Sequence, residues 1–193
     1  MRSKNARAVL SQAMEATALV RVERTPKWAD HVEGFVLRVG PKWALMARTV
    51  DGGYFDGVIA FRLRHVKRIT DDESVAVRFS RTRPEWPPAF DPDVDLATTA
   101  GVLGGMGWSG ALLGIQKERE RSATWIGTLD QIHGRFVYLH EVRPDGAWHA
   151  APLGYRLRAI TSVEVGRRYY AALFAIAGDV PPHERPTLGT TSR

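Results

Sequence analysis

Apolar residues along the first third of the chain recur at helical spacing and then at strand spacing. Ala6, Val9, Leu10, Ala13 and Met14 fall on one face at three- and four-residue intervals, with Lys4, Arg7 and Gln12 on the other, which predicts an N-terminal amphipathic helix. Four β-rich runs follow, over 18–23, 31–39, 42–50 and 54–69. Thr25-Pro26, Gly40-Pro41 and Asp51-Gly52-Gly53 punctuate them as turns. The stretch "FVLRV" alternates in part, as a half-buried strand requires. The order then returns. A helical pattern covers 93–105, with Asp93 or Asp95 near its start where a carboxylate favours the helix dipole. Strand patterns cover 111–118, 124–132, 135–142 and 153–165, with turns at Gly134 and Pro144-Asp145-Gly146, and an amphipathic helix is expected over 167–177.

The two halves superimpose in sequence. Gly34 matches Gly127, Trp43 matches Phe136, and Phe61-Arg62-Leu63-Arg64 matches Tyr155-Arg156-Leu157-Arg158. The offset is 93 residues, rising to 94 after the turn, so one extra residue in a loop reconciles them. This is the pattern of a duplicated unit. The expected division is a first unit over 1–75, an extended proline-rich linker over 76–92 that includes "RTRPEWPPAFDP", a second unit over 93–178 and a frayed tail over 179–193.

A helix followed by about five short, curved strands is the layout of an SH3-like small barrel. More narrowly, each half resembles an Sm-like (LSm) domain. That family has a glycine in the second strand with apolar residues two, five and nine positions later. Here Gly34 is followed by Val36, Val39 and Trp43, and Gly127 by Leu129, Ile132 and Phe136. The resemblance implies a mainly β fold of two tandem Sm-like five-stranded barrels, each preceded by a helix, with a C-terminal helix. "FRLRHVKRI" and "YRLRAITSV" would then be a fourth strand, a tight helical turn and a fifth strand. Trp43, Phe61, Phe136 and Tyr155 would fill barrel interiors. RNA-binding members read uridine with an Asp six and an Asn ten residues after the glycine, plus an Arg-Gly in the second motif. This chain has Gly40 and Ala44, then His133 and Val137, and no Arg-Gly in either segment, so the base-reading pocket is not carried over.

"GGMGWSG" holds a literal G-x-G-x-x-G from Gly105 to Gly110, inside an uncharged run over 96–116. A phosphate cradle needs a strand before the glycines and a helix after them. The pattern here is the reverse, and six glycines with a central Trp108 do not suit a membrane span. The expected role is a joint between helix and strand.

Net charge is +6 and the isoelectric point about 10.0, which permits a polyanionic partner, although Arg2, Lys4 and Arg7 supply three of the positive charges. Cysteine is absent, which excludes disulfides and thiolate chemistry and is in keeping with a reducing cytoplasm. His31, His65, His133, His140, His149 and His183 show no metal-ligand spacing, though His140-Glu141 and His149 face each other across a hairpin pattern. Neither G-x-S-x-G nor HExxH occurs, so neither enzyme chemistry nor a cofactor is expected. Glu23 and Glu118 close the first strand of each unit, placed to pair with an arginine.

The repeated Arg-x-Arg is the leading polar feature. On a strand Arg62 and Arg64 would share a face, as would Arg156 and Arg158, with Lys67, Arg68, Arg167 and Arg168 extending the basic row. Two functions compete. The first is a non-catalytic protein-interaction or assembly module, joined to itself or to another protein through barrel strand edges. The second is sequence-tolerant RNA or DNA binding through Arg62, Arg64, Lys67, Arg68, Arg156, Arg158 and the N-terminal arm of Arg2, Lys4 and Arg7. Charged strand rows that merely discourage sticky edges are the alternative to the second. An enzyme with a site between the units has no residue to name.

Overall fold

The chain was analysed as a computed structural model that describes residues 3–25, 31–107, 111–118 and 123–182. Helix α1 (Ser3–Glu15) precedes strands β1 (Leu19–Arg24), β2 (Val32–Val39), β3 (Trp43–Val50), β4 (Tyr54–Arg62) and β5 (Val66–Asp71), and α2 (Val75–Ser80) follows. Then come α3 (Thr99–Met106), β6 (Leu113–Lys117), β7 (Trp125–His133), β8 (Phe136–Glu141), β9 (Leu153–Arg156), β10 (Ile160–Val165) and α4 (Arg168–Ala177). A 3₁₀ turn, Leu63–His65 or Leu157–Ala159, divides the last strand run of each unit in two.

All ten strands join one antiparallel sheet in the order β5-β1-β2-β3-β4-β10-β6-β7-β8-β9. Two separately closed barrels are therefore not what the backbone hydrogen bonds describe. Each 3₁₀ turn reverses the chain and sends the next strand to the far side of its unit, beside β1 or β6. The outer edge of β4 is thereby left open, and β10 fills it: Phe61, Ala60, Ile59 and Val58 pair with Ser162, Val163, Glu164 and Val165. Backbone N–H and C=O groups away from water need such partners.

The repeat extends to register. Gly34 stands opposite Arg48, and Gly127 opposite Glu141. A bulge falls between Val36 and Arg38 and again between Leu129 and Gln131. Trp43 faces Arg62, and Phe136 faces Arg156. The two glycines sit in matching surroundings, since a Cβ would lie 2.0 Å from the Ala47 carbonyl oxygen at Gly34 and 2.3 Å from that of His140 at Gly127. Close strand approach is what requires glycine there.

Helix α2 was not expected, and it occupies the first part of the supposed linker. It is the counterpart of α4, each following the fifth strand of its unit, and Ser74 caps it by accepting from the Ala76 N–H at 3.2 Å. The rest of the linker is tied down. Arg38 Nη2 donates to the carbonyls of Phe90 and Pro92 at 2.8 and 2.6 Å, and the Leu96 carbonyl accepts from the N–H groups of Lys42 and Trp43. Helix α3 starts later than its sequence pattern because Asp95 turns back on Ala97 N–H and the Thr98 hydroxyl, and Thr98 becomes the cap. Helix then strand is the order around the glycines 104–107; Trp108, Ser109 and Gly110 lie outside the described residues, as does the tail from 183.

The largest apolar cluster crosses the junction, uniting Trp43, Leu45 and Ala60 with Leu103, Leu113, Ile115 and Val163. A second cluster seats Ala6, Leu10 and Ala13 of α1 against Val20, Met46 and Phe61. Among the described residues no helix is long and apolar enough to cross a membrane.

Candidate functional site

The junction between the units sets the standard by which the free edges can be judged. Arg62 closes β4 and is buried there, stacked with its guanidinium carbon 5.0 Å from the centre of the Trp43 ring. Its Nε donates to the Ile160 carbonyl at 2.6 Å, and its Nη2 to the Leu157 carbonyl at 3.0 Å and the Thr99 hydroxyl at 2.7 Å. One arginine of the first unit thus satisfies the 3₁₀ turn, the first residue of β10 and the helix start of the second. Burial, and then the neighbouring Arg64, lower its pKa from the usual arginine value.

Ion pairs surround this contact. Arg64 meets Glu118 at 2.6 Å, and His65 Nε2 lies 3.0 Å from the same carboxylate. Arg48 meets Glu164 at 3.0 Å, and Arg167 bridges Asp56 at 3.0 Å and Glu164 at 3.2 Å. Burial opposes the Arg167 charge, but the Glu164 and Asp56 carboxylates outweigh it and raise its pKa above the arginine norm. Tyr170 donates its hydroxyl to Glu164, and burial followed by that carboxylate raises its pKa.

The sheet ends at β9 on one side and β5 on the other. Beside β9 lies an open depression of about 380 Å³ lined by Gly134, Arg135, Phe136, Arg156, Leu157 and Arg158. Phe136, expected in a barrel interior, is 36% exposed, whereas Trp43 at the matching position is 0% exposed. The difference is what lies outside: Trp43 packs in a cluster with residues of the second unit, while Phe136, with Arg156 and Tyr138 beside it, stays partly exposed. Phe61 and Tyr155 are buried as expected.

The sequence candidates do not form one basic row. Arg62 and Arg64 lie at the central junction, and because the 3₁₀ turn begins at Leu63 they do not alternate along a strand: one is buried and the other exposed. Arg156 and Arg158 are exposed at the β9 end, and Lys67 and Arg68 on β5 at the opposite end. Lys4 and Arg7 are exposed on α1, and Arg2 lies outside the described residues. Glu118 does pair with an arginine, one belonging to the other unit. Arg135 stands outside the Arg-x-Arg repeat, yet its place between Gly134 and Phe136, beside the turn into β8, puts it with Arg156 around the same depression. The Asp56, Arg48, Glu164 and Arg167 cluster carries little local signal, because the pairs that join the units, Arg48–Glu164 and Arg167–Asp56, are 116 and 111 residues apart.

His140 and His149 meet across their hairpin through His140 Nε2 and the His149 carbonyl, 2.7 Å apart, rather than ring to ring. Next to them Glu141 accepts a hydrogen bond from the Tyr155 hydroxyl. Burial pushes the Glu141 carboxyl above the usual range, against the opposing effects of Tyr155, His149 and Lys117. The folded chain therefore holds this proton at pH values where the unfolded chain has released it. Stability from this group is present in acid and is lost as pH rises through the folded value. Glu141→Gln, which can still accept from Tyr155, should raise the melting temperature at pH 7 and leave it nearly unchanged at pH 4; thermal melts at the two values check this.

The fold defines a mainly β protein of two units in matching register, welded strand to strand, with an open edge at each end. No family model matches the chain, and no curated protein and no solved structure matches it.

Proposed function

We propose that the chain is a non-catalytic protein-interaction or assembly module of two Sm-like units, whose outer edges, β9 and β5, take up strands of protein partners. The carrying observation is the β4–β10 ladder, in which one unit's edge already holds a strand of the other. β9 is the terminal strand of the described sheet, beside a partly exposed aromatic with an arginine stacked on it, the same pairing of side chains that β4 uses at the junction. The Sm-like reading is supported by the repeated close-approach glycine and by the fourth strand, 3₁₀ turn and fifth strand in each unit.

Arg135, Arg156 and Arg158 around the exposed Phe136 favour a second reading, single-stranded nucleic acid held by phosphate contacts and stacking. Titration of a labelled single-stranded RNA across a salt series separates the two. The module reading expects no binding tighter than about 100 µM near physiological salt. Micromolar affinity with a steep inverse salt slope, flattened by Arg156→Ala and Arg158→Ala, would overturn it in favour of nucleic acid.

A further inference from the structure

The residues lining the depression beside β9 include Arg135, Arg156 and Arg158 and no carboxylate. Among the described residues none of these arginines forms an ion pair. Guanidinium groups gathered in one concavity raise the local potential, and their forked donors match carboxylate oxygens two at a time.

The repeat supplies a template for what such a group of cations meets. Offsets of 93 and 94 residues set Arg135, Arg156 and Arg158 against Lys42, Arg62 and Arg64. The backbone agrees, since the Lys42 carbonyl accepts from Leu63 N–H and the Arg135 carbonyl from Leu157 N–H, both at 2.9 Å. In the first unit all three cations are answered by polypeptide. Arg64 meets the Glu118 carboxylate, and Arg62 meets the Ile160 and Leu157 carbonyls. The Asp95 carboxyl, kept below its ordinary pKa first by the Ala97 N–H and then by the Thr98 hydroxyl, also feels the Lys42 charge.

We infer that the depression beside β9 takes an acidic segment of another protein, whose carboxylates meet Arg135 and Arg158 and whose main-chain carbonyls meet Arg156; this rests on the reading of the chain as a protein-interaction module. Peptide suits the site better than nucleic acid. Main-chain carbonyls are what the counterpart Arg62 binds, and one face of Phe136, where a base would stack, carries the Arg156 guanidinium at 5.9 Å from the ring centre. His133 and Val137 stand where base-reading Asp and Asn would be. A second copy of this chain suits the site less as well, because Glu118 corresponds to Thr25 in the first unit, and Thr25 bears no charge. The contact is made by side chains and needs no backbone ladder along β9.

Fluorescence anisotropy with a short labelled peptide of alternating glutamate and leucine should show saturable binding near physiological salt. Arg135→Ala with Arg158→Ala should weaken it about tenfold or more, through the loss of charge-assisted bonds. Both arginines are exposed, so the double variant should keep its fold, which circular dichroism checks. The same peptide with glutamine in place of glutamate should bind as weakly to the unaltered chain. Arg21→Ala with Arg78→Ala removes equal charge from exposed positions elsewhere and should change the affinity less than about twofold. No binding of the glutamate peptide, or an equal loss in the two double variants, would overturn the acidic-segment assignment and leave the module reading standing. Single-stranded RNA that displaces the peptide at micromolar concentration would overturn both.

Discussion

Gly34→Ala is expected to destabilise the chain by about 3 kcal/mol, enough to leave much of it unfolded in a marginal background. An added methyl would stand 2.0 Å from the Ala47 carbonyl oxygen and 2.9 Å from its carbon. These are backbone atoms of the neighbouring strand, so no side-chain rotation relieves the overlap; β2 and β3 must separate where their ladder is continuous. Gly127→Ala should behave alike, with the His140 carbonyl oxygen at 2.3 Å. Gly104→Ala is the contrast. That glycine lies in α3 with nothing within 4 Å of its would-be Cβ, so the substitution should stabilise by about 0.5–1 kcal/mol through helix propensity. Urea denaturation of the three variants measures the difference. A neutral Gly34→Ala would mean that the close approach of β2 and β3 is not as described.

Arg62→Ala should cost about 3 kcal/mol, while Arg156→Ala at the matching position should stay within about 0.5 kcal/mol in dilute solution. The local motif is the same, an arginine over an aromatic ring after a strand of equivalent register. What differs is the far side of the guanidinium. Arg62 serves the Ile160 and Leu157 carbonyls and the Thr99 hydroxyl, so its truncation removes the donor to one buried and two half-buried acceptors at the junction and leaves a void against Trp43. Arg156 is exposed, so its truncation orphans nothing within one chain. Hydrogen exchange should show the loss at Arg62 first in the amides of β4 and β10. Equal costs at the two sites would show that the junction does not depend on this side chain.

The alternations and turns that mark strands are local, and nearly every strand run lies within two residues of its observed place. Helix α2 is different. Six residues hold too little of a helical period to stand out between an acidic turn and a proline-rich stretch. Only the repeat could have revealed it, by setting Val75–Ser80 against the segment 169–174 of α4. Phe136 marks the opposite limit. Its apolar character and its spacing from Gly127 are plain, but burial depends on what lies across from it, and the second unit packs against Trp43 while Phe136 stays partly exposed. The Arg62 site was half legible. The Arg-x-Arg repeat drew attention to it, yet the 3₁₀ turn separates the two arginines, and the acceptors stand 95 and 98 residues away. Long-range pairing of that kind leaves no trace in periodicity.

The strand that seals β4 is the last of the described strands to be made. About 100 residues separate Phe61 from Val165, so at ribosomal speeds of roughly 5–20 residues per second the edge that will receive β10 waits on the order of ten seconds after it emerges. Throughout that interval the nascent N-terminal half carries Trp43 and Ala60 without their cover. The growing polypeptide is most open to aggregation, and to chaperones, before its second half leaves the ribosome.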